Sequence, residues 1–261
     1  MKCHTGSWES RAWGARGNAG ASGAKGTVCL ADEGDGRYFP RALKHTALAF
    51  LLLAATCLAQ EDPPDIKVLE RRANGGEAKA QLSLGLIYDE GVGAPKDRKK
   101  AAFWLEKAAA QGVPEAQFNI GTMYETGVGV AKSETKAAEW FEKAANQGLI
   151  DAQFNLANMY SSGRGVEKSV QKAMEWYEKA ANKGMSRAQF NLGLIYTLGQ
   201  GIPKDATKAY AWFSAAAADG DPAAKTNVEF IESKLDAKQK GQMKKAAREL
   251  AEKLSRQKPA E

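Results

Sequence analysis

Residues 60–261 contain no cysteine and no histidine. All five residues of these two types lie earlier in the chain, as Cys3, His4, Cys29, His45 and Cys57. Their absence from residues 60–261 excludes a disulfide framework, a thiol nucleophile, a histidine-dependent triad and the usual zinc ligands there. We therefore predict a protein without catalytic residues, cofactor or metal, although carboxylate or lysine chemistry is left open by this composition.

Neither residues 1–59 nor residues 60–261 carry a large net charge. Residues 1–59 carry 7 basic and 4 acidic side chains, and residues 60–261 carry 30 and 27. Each part therefore has a net charge of only +3. A nucleic-acid-binding module concentrates basic residues far more strongly, so we expect no nucleic-acid partner.

No apolar run is long enough to span a bilayer. Residues 46–59 are apolar over 14 positions, follow the basic residues Arg41 and Lys44, and end with the small residues Cys57 and Ala59. These are the features of a secretory signal cleaved after Ala59. We predict a signal peptide at 41–59 and an exported mature chain, periplasmic or secreted, without an integral membrane span. A buried helix and lipidation at Cys57 are the alternatives.

Residues 1–40 contain eight glycines and no hydrophobic periodicity. This composition predicts a disordered extension, or a stretch that precedes the true start of the protein. No methionine occurs between Met1 and Met123, so we expect initiation near Val28 or Leu30 from an alternative codon. An organellar transit peptide is the alternative, because the first 30 residues contain a single acidic residue.

The remaining sequence repeats every 36 residues. Tryptophans recur at this interval, at Trp104, Trp140, Trp176 and Trp212, and so do tyrosines, Ala-Gln pairs and Gly-x-Gly motifs. Periods of this length are typical of stacked helical units that form binding surfaces. We assign repeats to 77–112, 113–148, 149–184 and 185–220, a linker and half repeat to 60–76, and capping helices with a tail to 221–261.

Each repeat is predicted to contain two helices, A and B. Ala116, Ile120 and Tyr124 share one face of a helix A, which ends at a Gly-x-Gly turn. Helix B then starts at a polar N-cap residue, namely Asp97, Ser133, Ser169 or Asp205. We expect the tyrosine and tryptophan columns to be core. The fold class is therefore all-α, a right-handed α-solenoid of helix-turn-helix repeats.

The repeated motif A-Q-F-N-L-G-x-x-Y-x-x-G-x-G-V, followed by K-A-x-x-W-x-x-K-A-A-x-x-G, resembles the Sel1-like repeat family, which is related to tetratricopeptide repeats. The resemblance covers all four repeats and both flanking half repeats. It implies a curved solenoid that grips other proteins as an adaptor or regulator, frequently in an exported compartment. Ala157 departs from the pattern, because it replaces the helix A glycine.

Some helix A positions change from repeat to repeat while their neighbours do not. Leu86, for example, is replaced by Thr122, Asn158 and Leu194 in the following repeats. Because helix A lines the inner curve of stacked hairpins, these positions predict a groove for a protein or peptide. The predicted contact residues are Asn119, Thr122, Asn155, Asn158, Asn191 and Leu194. The asparagines have a second interpretation, as partners of neighbouring helix backbone.

We therefore predict a non-enzymatic, exported scaffold that binds a partner on the concave helix A face. Glu106-Lys107 and its equivalents on helix B are predicted to be solvated surface, since sequence neighbours on a helix do not face each other. The alternative function is a cell-wall-associated glycan binder or a β-lactam or peptidoglycan hydrolase, by association with other exported family members. No serine-lysine nucleophile motif supports that alternative.

Overall fold

The computed structural model describes residues 65–257 and two short strands nearer the N-terminus, β1 (His4–Thr5) and β2 (Thr27–Val28). The two strands pair in antiparallel orientation. The predicted signal peptide at 41–59 and the remainder of the extension at 1–40 lie outside the described residues.

Residues 65–257 form eleven α-helices. A half repeat, α1 (Ile66–Asn74), comes first. Four hairpins follow, with helices α2 (Ala78–Glu90), α3 (Arg98–Ala110), α4 (Pro114–Thr126), α5 (Glu134–Asn146), α6 (Ile150–Ser162), α7 (Val170–Asn182), α8 (Ser186–Leu198) and α9 (Ala206–Ala218). The last two helices are α10 (Pro222–Ser233) and α11 (Ala237–Gln257). Each hairpin packs its helices together and against the next hairpin, which confirms an all-α solenoid.

The predicted N-caps start every helix B. The Asp97 carboxylate accepts hydrogen bonds from the backbone N–H groups of Lys99 and Lys100, at 3.1 and 3.0 Å. Ser133, Ser169 and Asp205 cap α5, α7 and α9 in the same way. These side chains satisfy amide groups that the first helical turn leaves unpaired, so the helix start is fixed locally by sequence.

In two of the Gly-x-Gly turns, the second glycine lies against the backbone of the preceding repeat. Gly165 has a φ of +68°, and a Cβ added there would lie 2.2 Å from the carbonyl oxygen of Glu134 in the preceding repeat. Gly129 stands in the same relation to the carbonyl oxygen of Arg98, also at 2.2 Å. Two constraints therefore require glycine at these positions. The backbone is left-handed, and the adjacent repeat leaves no room for a Cβ.

The core runs continuously along the hairpins. Phe141 and Phe213 on helix B are fully buried against the glycines of helix A, where a Cβ at Gly121 or Gly193 would come within 2.9 or 2.6 Å of their rings. The predicted aromatic columns are buried at six of their eight positions. Trp140 and Tyr196 are only half-buried, because they lie at the rim of the core.

A column of buried glutamines connects each hairpin to the one before it. The Gln117 side-chain amide donates to the carbonyl oxygen of Ala109 at 3.1 Å, and Gln153 donates to Ala145 at the same distance. Gln147 in turn donates to the Oε1 of Gln117 at 2.8 Å. The recurring Ala-Gln pair of the sequence thus supplies hydrogen bonds between repeats within an otherwise apolar interior.

The C-terminal helix α11 closes the array. A capping box starts it, in which Gln239 N–H donates to Asp236 Oδ1 at 2.8 Å and Asp236 N–H donates to Gln239 Oε1 at 2.9 Å. In the preceding hairpins the second helix packs on the helix just before it. Helix α11 instead packs on α9. The outward face of α9 permits this contact, since Ala211 is buried where the earlier repeats have the exposed residues Phe103, Glu139 and Glu175.

Candidate protein-binding groove

The predicted contact residues lie on a face of each helix A that neighbouring helices cover only in part. We call this face the helix A stripe, and in each repeat it comprises four positions at helical spacing. Every one of these positions is exposed or half-buried. The stripe consists of Lys79, Ser83, Leu86, Glu90, Glu115, Asn119, Thr122, Thr126, Asp151, Asn155, Asn158, Ser162, Arg187, Asn191, Leu194 and Leu198.

Asn119 and Asn155 present unpaired amides in the middle of the stripe. Both side chains are half-buried, on α4 and α6 of adjacent repeats. Neither side chain hydrogen bonds to another residue in the described part of the chain. Each amide therefore keeps a free acceptor and two free donors that a bound partner can use.

Thr122 is already hydrogen-bonded within its own helix. Its hydroxyl donates to the carbonyl oxygen of Phe118 at 3.1 Å, and the hydroxyl of Thr126 donates to the backbone carbonyl oxygen of Thr122 at 2.8 Å. Ser162 makes the same kind of bond to Asn158, at 2.8 Å. These hydroxyls satisfy carbonyl groups of their own helix. A bound partner would therefore meet the methyl group and the shape of Thr122 rather than a hydrogen-bond donor.

Asn158 is hydrogen-bonded to a buried tyrosine of the following helix. The Tyr177 hydroxyl donates to Asn158 Oδ1 at 2.5 Å. Burial raises the pKa of Tyr177, and the neighbouring Asn191 amide partly offsets this rise. The carbonyl oxygen of the Asn158 side chain is therefore occupied by a side chain from α7.

Leu194 completes the set with an apolar contact. It packs against the buried cluster around Phe190 and Phe213, whose ring centroids are 5.4 Å apart. The next stripe residue on the same helix, Leu198, is 40% exposed. The stripe therefore changes from polar amides in the middle repeats to accessible leucine surface in the fourth repeat.

Some polar side chains on the helix B surface are engaged within the chain. Glu106 accepts a hydrogen bond from the Tyr124 hydroxyl, and this bond, with burial, raises the pKa of Tyr124 to about 12. The prediction that Glu106 is solvated surface is therefore wrong. The tyrosine lies 18 residues later, as it does in the Glu70–Tyr88 bond of 2.8 Å. The same spacing separates Glu142 from Tyr160 and Glu178 from Tyr196, which make no such hydrogen bond, so spacing alone does not predict it.

The lysines of the Glu-Lys pairs on helix B also contact neighbouring side chains. Lys143 Nζ lies 4.0 Å from the ring centroid of Trp140, and Lys179 Nζ lies 3.6 Å from that of Trp176. Such cation–π contacts hold the ammonium groups over the indole rings. These ammonium groups of helix B are therefore already in contact within the chain.

Other kinds of site receive no support within residues 65–257. No cluster of three or more histidine, cysteine, aspartate or glutamate side chains there is placed to hold a metal ion. No helix in the same part of the chain combines the length and apolar character that a membrane span requires.

Comparison with known proteins identifies the repeat family. The family model for the Sel1 repeat matches residues 78–113, 114–149, 150–185 and 186–221, which is more than half of the chain. No curated protein matches the chain.

Two solved structures are similar over most of the sequence. A protective antigen of uropathogenic Escherichia coli strains, which displays an SLR fold, is 36% identical, with a TM-score of 0.66 over 82% of this chain and 46% of the antigen. A Sel1 repeat protein from Oxalobacter formigenes is 32% identical, with a TM-score of 0.60 over 72% of this chain and 74% of that protein. The chain thus spans about half the length of the antigen. It belongs to the Sel1 repeat family, whose members are generally non-enzymatic mediators of protein–protein interaction.

Proposed function

We propose that this chain is a non-enzymatic scaffold that binds an extended segment of a partner protein along the helix A stripe. The observation that carries the proposal is the pair of unpaired amides, Asn119 and Asn155, at equivalent positions of adjacent repeats. The surrounding framework repeats from hairpin to hairpin, whereas the stripe residues change. That combination favours recognition over packing.

The chemistry of the stripe suits a peptide. An extended backbone offers alternating carbonyl acceptors and N–H donors, which match the free groups of Asn119 and Asn155. Each such hydrogen bond contributes about 0.5–1.5 kcal/mol net, so specificity comes from several repeats acting together. Charged residues at the start of the stripe, Glu115, Asp151 and Arg187, add a pattern that selects among partners.

A direct test uses a peptide selected from a random library on the full-length chain. The double variant Asn119→Arg/Asn155→Arg should weaken binding of this peptide at least about tenfold, because two bulky cations replace the free amides. The matched control is Asn146→Arg/Asn182→Arg, which makes the same substitution on helix B of the same two repeats. It should change the Kd by less than about twofold.

Both double variants should keep the helical circular dichroism of the parent, since none of the four asparagines hydrogen bonds through its side chain to another described residue. Equal loss from the two variants would indicate a partner that clamps both faces of the solenoid. Unchanged affinity in Asn119→Arg/Asn155→Arg would place the binding surface outside the stripe.

We also propose that the protein is exported. The support is the sequence of residues 41–59, with its basic start, short apolar centre and small final residues. The mature chain should then begin at Gln60. Intact-mass measurement of the native protein tests this, and a cytoplasmic product that retains residues 41–59 would contradict it.

A further inference from the structure

Two columns of lysine follow the turns that join helix A to helix B. One column lies just before the N-cap of each helix B, and the other lies in its first turn. No other position of the repeat has the same charged residue in all four repeats, and both columns continue into helix α11 at the same spacing of 36 residues. We call these two columns the lysine edge. Its members are Lys96, Lys132, Lys168, Lys204 and Lys240 in the first column and Lys100, Lys136, Lys172, Lys208 and Lys244 in the second.

The second column is held in the same place in every repeat. Lys244 in α11 makes an ion pair of 3.3 Å with Glu232, which stands 36 residues after the last tyrosine of the tyrosine column. In the four repeats the ammonium groups lie between 5.0 and 5.2 Å from the ring centroids of that column, Tyr88, Tyr124, Tyr160 and Tyr196. The row of exposed ammonium groups therefore runs on from the hairpins into the C-terminal helix.

The first column owes only its side-chain stem to the fold. A Cβ added at Gly91 would lie 3.0 Å from the Cβ of Lys96, and the following repeats pack in the same way, so each stem lies over the first turn glycine. That contact does not involve the ammonium group. Neither Lys96 nor Lys168 makes a side-chain hydrogen bond or ion pair with another described residue. The packing therefore explains a long side chain at these positions, but not a positive charge in each repeat.

The turns themselves concentrate positive charge. Residues 91–100, 127–136, 163–172 and 199–208 carry 11 basic and 4 acidic side chains, whereas the remaining residues of 60–261 carry 19 and 23. Successive turns also touch, because Gly129 and Gly165 each lie against the backbone of the turn before. The lysine edge is thus part of a continuous surface of one sign, which attracts anionic groups.

The spacing of the lysine edge suits an extended chain. Packed helices lie about 8–10 Å apart, and an extended polypeptide advances about 3.3–3.6 Å per residue. An extended segment that crosses the repeats therefore brings about every third residue to the lysines of the next repeat. A membrane surface suits the edge less well, because interfacial binding also uses a row of apolar side chains. Val92 is exposed in the first turn, but Arg164 and Gln200 hold the equivalent positions of later turns.

We propose that the lysine edge binds an extended acidic segment of a partner protein, with a carboxylate at about every third residue. Each carboxylate pairs with the lysines of one repeat. Exposed ion pairs are individually weak, so binding depends on several repeats acting together. This surface lies outside the helix A stripe, and the inference does not rest on the stripe binding a peptide.

The test compares two synthetic peptides of the same composition, measured on the full-length chain by fluorescence anisotropy. Both contain five glutamates among about 15 residues that are otherwise serine and alanine. The glutamates recur at every third position in the spaced peptide and are consecutive in the clustered peptide. The spaced peptide should bind about 3- to 10-fold more tightly, because it alone reaches the lysines of several repeats. Its affinity should fall as the salt concentration rises.

Lysine variants locate the surface. Lys96→Gln/Lys168→Gln removes two charges of the edge, keeps the side-chain stems and should weaken binding of the spaced peptide about 3- to 10-fold. The matched control is Lys107→Gln/Lys179→Gln, which removes the same charge from exposed helix B positions of the same two repeats. It should change the Kd by less than about twofold. Thermal unfolding should be unchanged in the edge variant, since neither ammonium group bonds to a described residue.

Three results would overturn the proposal. Equal affinity of the two peptides would remove the match to the repeat spacing. Equal losses from the edge variant and its control would show a response to net charge alone. Binding of anionic lipid vesicles or of a single-stranded oligonucleotide, with no binding of either peptide, would assign the edge to a different anionic partner. None of these results bears on Asn119→Arg/Asn155→Arg, which tests the stripe with its own selected peptide.

Discussion

Gly165→Ala should separate two repeats, and its cost follows from geometry. Alanine in a left-handed conformation costs about 1–2 kcal/mol. In addition, the new methyl would lie 2.2 Å from Glu134 O and 2.3 Å from Glu134 C, which are backbone atoms of the preceding hairpin. An ordinary carbon–oxygen contact is about 3.3–3.6 Å, so the hairpins must move apart by roughly 1 Å.

That movement weakens the dispersion contacts along the whole interface between the two hairpins. A radial gap of about 0.5–1 Å already forfeits a quarter to a half of each contact, and overpacking of this kind typically costs about 1–3 kcal/mol. Together with the backbone strain, we expect Gly165→Ala to lower the free energy of unfolding by about 2–5 kcal/mol.

The same column supplies a control. Gly93 has a φ of +84°, but the nearest atom to an added Cβ is Ile66 Cδ1 at 3.8 Å, an ordinary contact. Gly93→Ala should therefore cost only the backbone strain, about 1–2 kcal/mol. Urea unfolding followed by circular dichroism measures both variants. Equal losses of stability would refute the reasoning that the second turn glycine is set by contact between repeats.

Two further predictions concern stability. Trp176→Ala should lower the free energy of unfolding by about 3–5 kcal/mol, as removal of a buried aromatic does, whereas Trp140→Ala should lower it less because that indole is half-buried. The control is Glu175→Ala, at an exposed position of the same helix as Trp176. Similar urea midpoints for Trp176→Ala and Glu175→Ala would show that Trp176 is not part of the core. Alkaline pH should also destabilise the fold. The pKa of Tyr124 is raised to about 12 by its bond to Glu106 and by burial, and that of Tyr210 to about 12 by burial and its bond to Glu232. Each neutral hydroxyl therefore contributes stability below pH 10 that is lost as the pH rises toward 12, and urea midpoints at pH 9 and 11.5 should differ less in Tyr124→Phe/Tyr210→Phe than in the parent. Identical pH dependence in the two proteins would contradict this assignment.

Much of the fold could be predicted from the sequence because its determinants are local. The N-cap side chains of Asp97 and Ser133 and the turn glycines act within a few residues of their own position, and the 36-residue period repeats them. Averaging over columns therefore located helices, turns and most of the core. The stripe was located in the same way, as a set of positions that vary on a regular framework.

The contacts within the stripe could not be read from columns, because they belong to single repeats. Tyr177 and Asn158 both depart from the residue types of their columns, and they do so in the same repeat, which is the one signal that links them. The packing of helix α11 on α9 could not be read from the columns either, because it depends on Ala211, which stands where the other repeats have larger or charged residues. Partners across the solenoid interior are set by tertiary packing, which column averages do not contain.

Site-specific photo-crosslinking tests the central claim most directly. A benzophenone amino acid is placed at position 155 in the stripe or at position 182 on helix B, and crosslinked partner peptides are identified by mass spectrometry in cells of the source organism. Binding along the stripe predicts that position 155 yields one contiguous segment of a single partner protein, and that position 182 yields little of it. Crosslinks of that partner from position 182 alone, or equally from both positions, would contradict a binding groove on helix A.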